Sequence, residues 1–164
     1  MSIFEAIDEE DIEKVKLLLE ADVNVNVKDE NGRTPLWWVV YYEYTEIKLL
    51  IEAVGVNVRD EDKETPLHYT TYNGNINIVK LLLDAGADVD VQNTTGRTPL
   101  HQAVRQHHAI TTMLLINAGA DVNIQDGADR TPLNYATRDD KEIYNLLIDS
   151  GAWFYCKSVV HTRL

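Results

Sequence analysis

Apolar residues are concentrated in short runs that recur along the chain and are separated by polar stretches. The segment at 78–83 covers a wide apolar face at helical spacing, which predicts a helix buried between neighbours. The polar stretch at 88–97 alternates and ends in turn residues, so it predicts a hairpin-like finger. Aliphatic runs of the same kind lie at 48–51, 80–83, 113–116 and 145–148.

The tripeptide Thr-Pro-Leu marks the start of another helix and sets the period. Threonine accepts from an N–H group of the first helical turn, and proline fits the next position because its missing N–H would be unpaired there. Gly86, Gly119 and Gly151 follow the aliphatic runs and end those helices, since glycine adopts the left-handed conformation without a Cβ clash. The period indicates stacked repeats. Thr-Pro-Leu recurs in steps of 31, 33 and 33 residues, at 34–36, 65–67, 98–100 and 131–133.

Two stretches resemble a known family. Gly-Arg-Thr-Pro-Leu-His at 96–101 and Leu-Leu-Leu-Asp-Ala-Gly-Ala-Asp-Val at 81–89 resemble the opening and the close of the ankyrin repeat. The resemblance implies an all-α, ankyrin-repeat solenoid of stacked helix-turn-helix units with hairpin-like fingers. We expect a single domain at 1–155 and a tail at 156–164, with units at about 1–28, 29–59, 60–92, 93–125 and 126–155.

The chain departs from the family pattern in several places. The first unit lacks Thr-Pro-Leu and carries acidic side chains such as Asp8 and Asp11 on its outer side, as a polar cap does. Lys63 and Asp129 stand where the family usually has the finger glycine, and Asp22 stands where the second helix usually ends in glycine. Because aspartate tolerates the left-handed region better than lysine, the finger at Lys63 is the one that the sequence supports least.

Charge and composition narrow the class of function. The net charge of −12 over 164 residues repels phosphate backbones, so we expect no nucleic acid partner. Residues 1–64 hold 17 acidic and 7 basic side chains, a net charge of −10. The longest apolar stretch, at 37–42, is much shorter than the roughly 20 residues of a membrane helix, so we expect no membrane partner.

The setting of the protein follows from its cysteine content and its first residues. The single cysteine, Cys156, cannot close an intrachain disulfide, and the acidic first residues do not resemble a signal peptide. We therefore expect a monomer that is intracellular and cytoplasmic, in its own cell or, as an effector, in a host cell.

No residues in the sequence are arranged for catalysis. His68 and His101 follow Thr-Pro-Leu one repeat apart, and the resemblance implies that they brace the turn by hydrogen bonding. His107 and His108 fall in a turn between helices, either as surface residues or as a pH-sensitive contact. With one cysteine and no Gly-rich phosphate loop, we expect no enzyme activity, no metal and no cofactor.

In three of the units, one polar residue stands at the same place in the turn that follows the second helix. Asn57 and Asn123 follow valine there, and Asp90 stands at the matching place in the third unit. The resemblance implies hydroxylation by a cellular asparaginyl hydroxylase as one role for these positions. The alternative is that the asparagines bond the adjacent backbone.

The aromatic run at 37–42 is the most unusual segment of the chain. We expect Trp37, Val39 and Val40 to pack against neighbouring helices. Tyr41 and Tyr42 fall at the end of that helix, on the side that the family turns toward its concave groove, which favours binding.

The resemblance implies a non-catalytic module that binds a protein partner through its groove and fingers, as an adaptor, scaffold or stoichiometric inhibitor. Tyrosine and arginine are the residues most often found as interface anchors. We therefore expect an acidic stretch of the partner over the arginines and an apolar or basic stretch over the tyrosines. The alternative is a solvated face with arginines paired to Asp129 and Asp139. The candidate contact residues are Arg33, Trp38, Tyr41, Tyr42, Glu61, Asp62, Glu64, Tyr72, Arg97, Arg105, Arg130 and Arg138.

Two other functions stay open. Trp153, Phe154 and Tyr155 close the last unit, and they either fold back over the final helices or form a self-association patch, which would make the chain a structural homo-oligomer. The chain length and repeat number also resemble those of the small cyclin-dependent kinase inhibitors.

Overall fold

A computed structural model of the chain describes residues 2–21, 24, 27–42, 55–137 and 140–153. These ranges hold eight α-helices and one 3₁₀ helix, Pro132–Asn134, and no β-strand. The α-helices are α1 (Ile3–Asp8), α2 (Ile12–Glu20), α3 (Pro35–Tyr41), α4 (Pro66–Asn73), α5 (Ile76–Asp84), α6 (Pro99–Arg105), α7 (Ala109–Asn117) and α8 (Lys141–Asp149).

The helices pack in two layers. Helices α1, α3, α4 and α6 and the 3₁₀ helix pack side by side as the first-helix layer. Helices α5, α7 and α8 pack side by side as the second-helix layer, and each pair α1/α2, α4/α5 and α6/α7 is in contact. The prediction of an all-α repeat solenoid is confirmed. The aliphatic run at 48–51 lies outside the described residues.

Leucines at equivalent places in successive repeats form the core. The leucine of every Thr-Pro-Leu is fully buried, as is one leucine from each described helix of the second-helix layer. Burying each of them stabilises the fold by roughly 1.5–3 kcal/mol. These residues are Leu36, Leu67, Leu100 and Leu133, with Leu82, Leu115 and Leu147.

The threonine caps differ between repeats. The Oγ1 of Thr98 accepts from the backbone N–H of His101 at 3.4 Å, and Nδ1 of His101 accepts from the backbone N–H of Thr98 at 3.1 Å. Thr34 makes no such cap, and its buried Oγ1 has no hydrogen-bond partner among the described residues. The predicted cap is therefore wrong at Thr34. Trp37 stands where the other repeat has histidine, and its indole has no acceptor for the backbone N–H of Thr34, so the reciprocal bond is lost too.

The helix predicted after Thr131 is also wrong in its length. Only the single 3₁₀ turn Pro132–Asn134 follows, and Tyr135 is its last capping residue. The backbone N–H groups of Tyr135 and Ala136 donate three residues back, to Pro132 O and Leu133 O, so the segment keeps the 3₁₀ pattern, which is used in short pieces.

The fingers share one turn geometry, including the finger that the sequence supported least. The backbone of Lys63 adopts the left-handed conformation, and the glycines that end α5, α7 and the last helix do so as predicted. Asp22 lies outside the described residues. The left-handed finger positions are Gly32 (φ 73°), Lys63 (59°), Gly96 (77°) and Asp129 (60°).

Neighbouring fingers are joined by backbone hydrogen bonds near their tips. Glu61 N donates to Asn31 O at 3.4 Å, and Thr94 N donates to Asp62 O at 2.8 Å. The next finger repeats the contact, with a distance of 2.9 Å between N of residue 127 and O of residue 95. These bonds fix the spacing of the fingers along the solenoid.

Candidate functional site

The ends of the first-helix layer line up along one edge of the solenoid. Asp8 is the last residue of α1, Tyr41 the last of α3 and Arg105 the last of α6, and Tyr72 lies one residue before the end of α4. All four are exposed. Because α1, α3, α4 and α6 pack in this order, these residues form a continuous series, which we call the helix-end row.

The centre of the helix-end row stands on two aromatic stacks. Trp37 and Tyr41 stack with ring centroids 5.0 Å apart, and Trp38 and Tyr42 stack at 5.6 Å. Each pair is four residues apart, so helical geometry places one ring over the other. Trp37 is buried as predicted, along with Val39 and Val40, whereas Tyr41 and Tyr42 are 50% and 39% exposed.

Residues from the finger hold both stacks in place. The guanidinium of Arg33 lies 4.0 Å from the centroid of Trp37, a cation–π contact. Nε1 of Trp38 donates to Oδ2 of Asp29 at 2.9 Å. Burial acts to raise the pKa of Asp29, but hydrogen bonds from the backbone of Arg33 and Asn31 and from Trp38 outweigh it and hold the pKa below its usual range. Arg33 and Trp38 thus support the exposed tyrosines from below.

The aromatic surface extends to the helices on both sides. Tyr42 donates to Oδ1 of Asp8 at 3.4 Å, and partial burial together with the charge of Asp8 raises the pKa of Tyr42. On the other side, Trp37 meets Tyr69 of α4 edge to face at 4.6 Å. Tyr69 donates to Asp60 at 2.8 Å, and burial and this bond raise the pKa of Tyr69. Tyr72, one turn further along α4, is 51% exposed.

The three acidic candidates of the finger at Lys63 have different surroundings. Glu61 and Asp62 are exposed at the fingertip. Glu64 is half-buried, and its Oε1 accepts from Asn93 at 2.9 Å and from Gln102 at 3.5 Å. Glu64 is therefore part of the contact between repeats, while the carboxylates of Glu61 and Asp62 face solvent.

The candidate residues Arg97 and Arg130 both lie beside one buried carboxylate. They lie 3.8 Å and 3.4 Å from Oδ2 of the buried Asp126. Their guanidinium groups also lie 5.5 Å and 4.7 Å from the ring of Tyr135, whose hydroxyl donates to Asp126. Burial acts to raise the pKa of Asp126, but these hydrogen bonds and charges outweigh it and keep the pKa low. The prediction of an Asp129 pair did not anticipate Asp126, whose single carboxylate lies close to both arginines and offsets part of their charge.

The remaining candidate arginines are Arg105 and Arg138. Arg105 is exposed at the carboxyl end of α6, where the helix dipole favours a cation. Arg138 lies outside the described residues, as do its suggested partner Asp139 and the aromatic residues Phe154 and Tyr155. Trp153 is described, and it is 47% exposed.

The candidate hydroxylation residues each reach into the next repeat. Nδ2 of Asn57 donates to Gly86 O at 3.2 Å, and Nδ2 of Asn123 donates to Gly151 O at 3.1 Å. Oδ1 of Asp90 accepts from the backbone N–H of Asp121 at 3.0 Å. The two asparagines therefore bond the backbone of the following repeat and not the adjacent backbone that the alternative specified, and hydroxylation stays a prediction.

The histidines after Thr-Pro-Leu brace their turns as predicted. Nδ1 of His68 accepts from the backbone N–H of Thr65 at 3.1 Å, so the ring proton lies on Nε2, which donates to Arg97 O at 3.1 Å. His101 makes the same pair of contacts one repeat later. Burial lowers the pKa of His68 to about 4 and also lowers that of His101.

The histidines of the helix–helix turn, His107 and His108, join neighbouring repeats. Nδ1 of His107 contacts Oδ2 of Asp140, the residue before α8, and hydrogen bonds from Thr137 and His107 lower the pKa of Asp140. Nε2 of His108 lies 3.1 Å from the carbonyl oxygen of Tyr72. A pH response of the His107 contact stays a prediction.

The finger residues Asp29, Asp60, Asn93 and Asp126 were missed by the sequence reasoning. Each accepts backbone N–H bonds that close its own finger. The three aspartates also accept from the aromatic side chain nine residues later, which is Trp38, Tyr69 or Tyr135. The signal was present in the sequence, because an aspartate or asparagine lies five residues before every Thr-Pro-Leu.

The next two observations concern metal-binding clusters and membrane-spanning helices. Among the described residues, no group of three or more His, Cys, Asp or Glu side chains is placed to hold a metal ion. Within the same part of the chain, every helix is too short or too polar to cross a membrane.

Comparison with known families assigns the chain to a class. The model of the ankyrin repeats, which spans three copies, matches residues 3–93 and 72–157. These matches cover most of the chain, so the chain belongs to the ankyrin-repeat family. No curated protein gives a match. Ankyrin repeats generally mediate protein–protein interaction and are typically non-catalytic.

Proposed function

We propose that the chain binds a protein partner across the helix-end row and the fingers, as an adaptor, scaffold or stoichiometric inhibitor. The observation that carries this proposal is the exposure of Tyr41, Tyr42 and Tyr72, at 50%, 39% and 51%. Tyrosine offers a large apolar area and a directional hydroxyl, which is why it is common among interface anchors. Three such side chains beside one another form a surface suited to a partner.

The support beneath the tyrosines favours binding because it orders them in advance. Tyr41 and Tyr42 already stack on Trp37 and Trp38. Immobilising a free side chain on binding costs about 0.5–1.5 kcal/mol, and a side chain that is held beforehand avoids much of that cost. The fingertip residues Glu61 and Asp62 are also exposed and would supply polar contacts from the fingers.

The proposal includes an intracellular setting. The chain has one cysteine, which fits a reducing compartment because no intrachain disulfide is available to stabilise the fold. The division into five units, with the bounds given above, is likewise a proposal.

The test is affinity capture from lysate with a matched control. The parent and a Tyr41→Ala/Tyr42→Ala variant are compared with an Ile110→Ala/Met113→Ala variant. Ile110 and Met113 lie on α7 of the second-helix layer and are 50% and 39% exposed, the same fractions as the two tyrosines. Circular dichroism of each protein serves as the control for folding.

We expect the tyrosine variant to lose the captured partner and the α7 variant to retain it. Recovery of the same partner by all three proteins would reject the helix-end row as the binding surface. Loss in the α7 variant alone would place binding on the second-helix layer.

A further inference from the structure

The helix-end row changes its chemistry in a fixed order along the solenoid. It runs from the carboxylate of Asp8 through the rings of Tyr41 and Tyr72 to the guanidinium of Arg105. We infer that the partner presents one linear segment of matching order, with a cationic residue at one end, apolar residues in the middle and a carboxylate at the other end. This inference rests on the proposed function and specifies its partner.

The amino-terminal end of the helix-end row is negative for several reasons. Asp8 and Glu9 are exposed at the end of α1, where the helix dipole adds partial negative charge. Residues 1–64 contain 17 acidic and 7 basic side chains. Asp8 also accepts from Tyr42, so its carboxylate is held beside the aromatic surface. A lysine or arginine of the partner would meet both a carboxylate and an aromatic ring there, and aromatic rings attract cations.

The middle of the helix-end row is aromatic without interruption. Tyr41 stacks on Trp37 at 5.0 Å, and Trp37 meets Tyr69 of the next helix at 4.6 Å. Tyr72 is exposed on the same helix as Tyr69. Among the residues that the structure describes, the middle members of the row are both tyrosines, so aliphatic or aromatic residues of the partner fit it best.

The other end of the helix-end row is positive at Arg105. Arg97 and Arg130 lie beside the buried carboxylate of Asp126, which they share, whereas Arg105 is exposed at the end of α6, in line with the ends of α1, α3 and α4. The acidic end of the partner is therefore expected over Arg105. Opposite charges at the two ends also fix the direction in which the segment lies.

The spacing of the helices sets the length of the segment. Neighbouring packed helices lie about 8–10 Å apart, so three steps from α1 to α6 span roughly 24–30 Å. An extended chain covers about 3.3 Å per residue, so the cationic and acidic residues of the segment should lie about eight residues apart.

A random peptide library tests the inference directly. Peptides of about twelve residues, long enough to span the row, are displayed and selected on the full chain, and the enriched peptides are synthesised for affinity measurement. We expect enriched peptides to carry Lys or Arg at one end, Asp or Glu about eight residues away and apolar residues between them. Failure to enrich any peptide would overturn the inference of a linear segment.

Charge reversal then separates a direct contact from a general charge effect. Arg105→Glu should lower the affinity for the selected peptide roughly tenfold or more, because the new carboxylate and the acidic end of the peptide repel each other. Lys80→Glu makes the same change of charge at an exposed site on α5, and it should have little effect. A peptide whose acidic end is replaced by lysine should regain affinity for Arg105→Glu.

The outcomes distinguish this inference from the function on which it rests. The inference would be overturned if Arg105→Glu and Lys80→Glu lowered the affinity for the peptide equally. It would also be overturned if the enriched peptides lacked a cationic residue at one end and an acidic residue at the other. If such peptides still required Tyr41 and Tyr42, the proposed function would stand. Peptides that bind the Tyr41→Ala/Tyr42→Ala variant as well as the parent would overturn both.

Discussion

Oδ1 of Asp90 accepts a hydrogen bond from the backbone N–H of Asp121 in the following repeat, over 3.0 Å. Asn57 makes the matching contact to the N–H of Asp88 at 2.8 Å, and its Nδ2 also donates to Gly86 O. A carboxylate has no such donor. Burial raises the pKa of Asp90; the Asp121 N–H opposes this shift, and the charges of Asp121 and Asp88 add to it.

We expect Asp90→Asn to raise the free energy of unfolding by about 1 kcal/mol at pH 7, because the amide gains a donor and removes a buried charge. The folded pKa lies above the unfolded value, so the parent loses stability as pH rises from about 4 through the folded pKa, and the variant should not. Urea unfolding measures both effects. The reciprocal change Asn57→Asp should be destabilising, and a stability gain there would contradict this account.

The buried histidines predict a loss of stability in acid. Burial lowers the pKa of His68 from 6.5 to about 4. Between these values the unfolded chain binds a proton that the folded chain does not, so stability falls as pH falls, by up to about 3 kcal/mol. In the last repeat Asn134 takes the same role, accepting from Thr131 N at 2.8 Å.

His68→Asn therefore copies a residue that the chain already uses in this place. We expect it to cost about 1 kcal/mol at pH 7.5, because the contact with Arg97 O is lost. Between pH 7.5 and 5 the variant should lose less stability than the parent, as measured by urea midpoints. If the urea midpoints of the two proteins changed equally with pH, His68 would not be the source of the stability loss in acid.

The finger at Lys63 carries backbone strain that a glycine would relieve. Its φ of 59° lies in the left-handed region, where a side chain is unfavourable. Lys63→Gly should raise the free energy of unfolding by about 0.5–1 kcal/mol, since part of the gain is offset by the greater entropy of the unfolded chain. Thermal unfolding measures the change.

The opposite substitution in the next finger is the control. Gly96 has a φ of 77°, and an added Cβ would lie 2.5 Å from the backbone nitrogen of Gly127. Gly96→Ala should therefore be clearly destabilising. Similar effects of both substitutions would mean that the finger turns do not depend on the left-handed position.

Burial in the second-helix layer predicts unequal costs for two adjacent leucines. Leu82 is fully buried, whereas Leu81 on the same helix is 37% exposed. Leu82→Ala should lower the free energy of unfolding by roughly 2–5 kcal/mol, and Leu81→Ala by clearly less. A urea midpoint for Leu82→Ala within error of the parent would contradict the packing of α5.

Local signals in the sequence predicted the frame of the fold. Thr-Pro-Leu and the glycines after the aliphatic runs located the helices because caps and stops depend on a few adjacent residues. The burial of Trp37 was also predicted, from its place among the neighbouring helices, and the exposure of Tyr41 from its place at the end of the helix.

Features that depend on contacts between repeats were not predicted. Asp126 pairs with Arg97 from the next finger, 29 residues away, and no local pattern sets that pairing. The hydrogen bond from Asn93 to Glu64 of the preceding finger also joins two repeats. Such contacts are decided by the stacking of the repeats, which the order of residues along one helix does not reveal.

The hydrogen bonds between fingertips have a mechanical consequence. Each joins one finger only to the next, so tension applied to the two ends of the chain loads the interfaces in series and the weakest separates first. The bond from Glu61 to Asn31, at 3.4 Å, is longer than the later ones at 2.8 and 2.9 Å. Separation should therefore begin near the amino terminus and lengthen the chain stepwise, by roughly 110 Å for each 33-residue repeat. A segment bound along the helix-end row would share the load in parallel and make the solenoid resist extension as a whole.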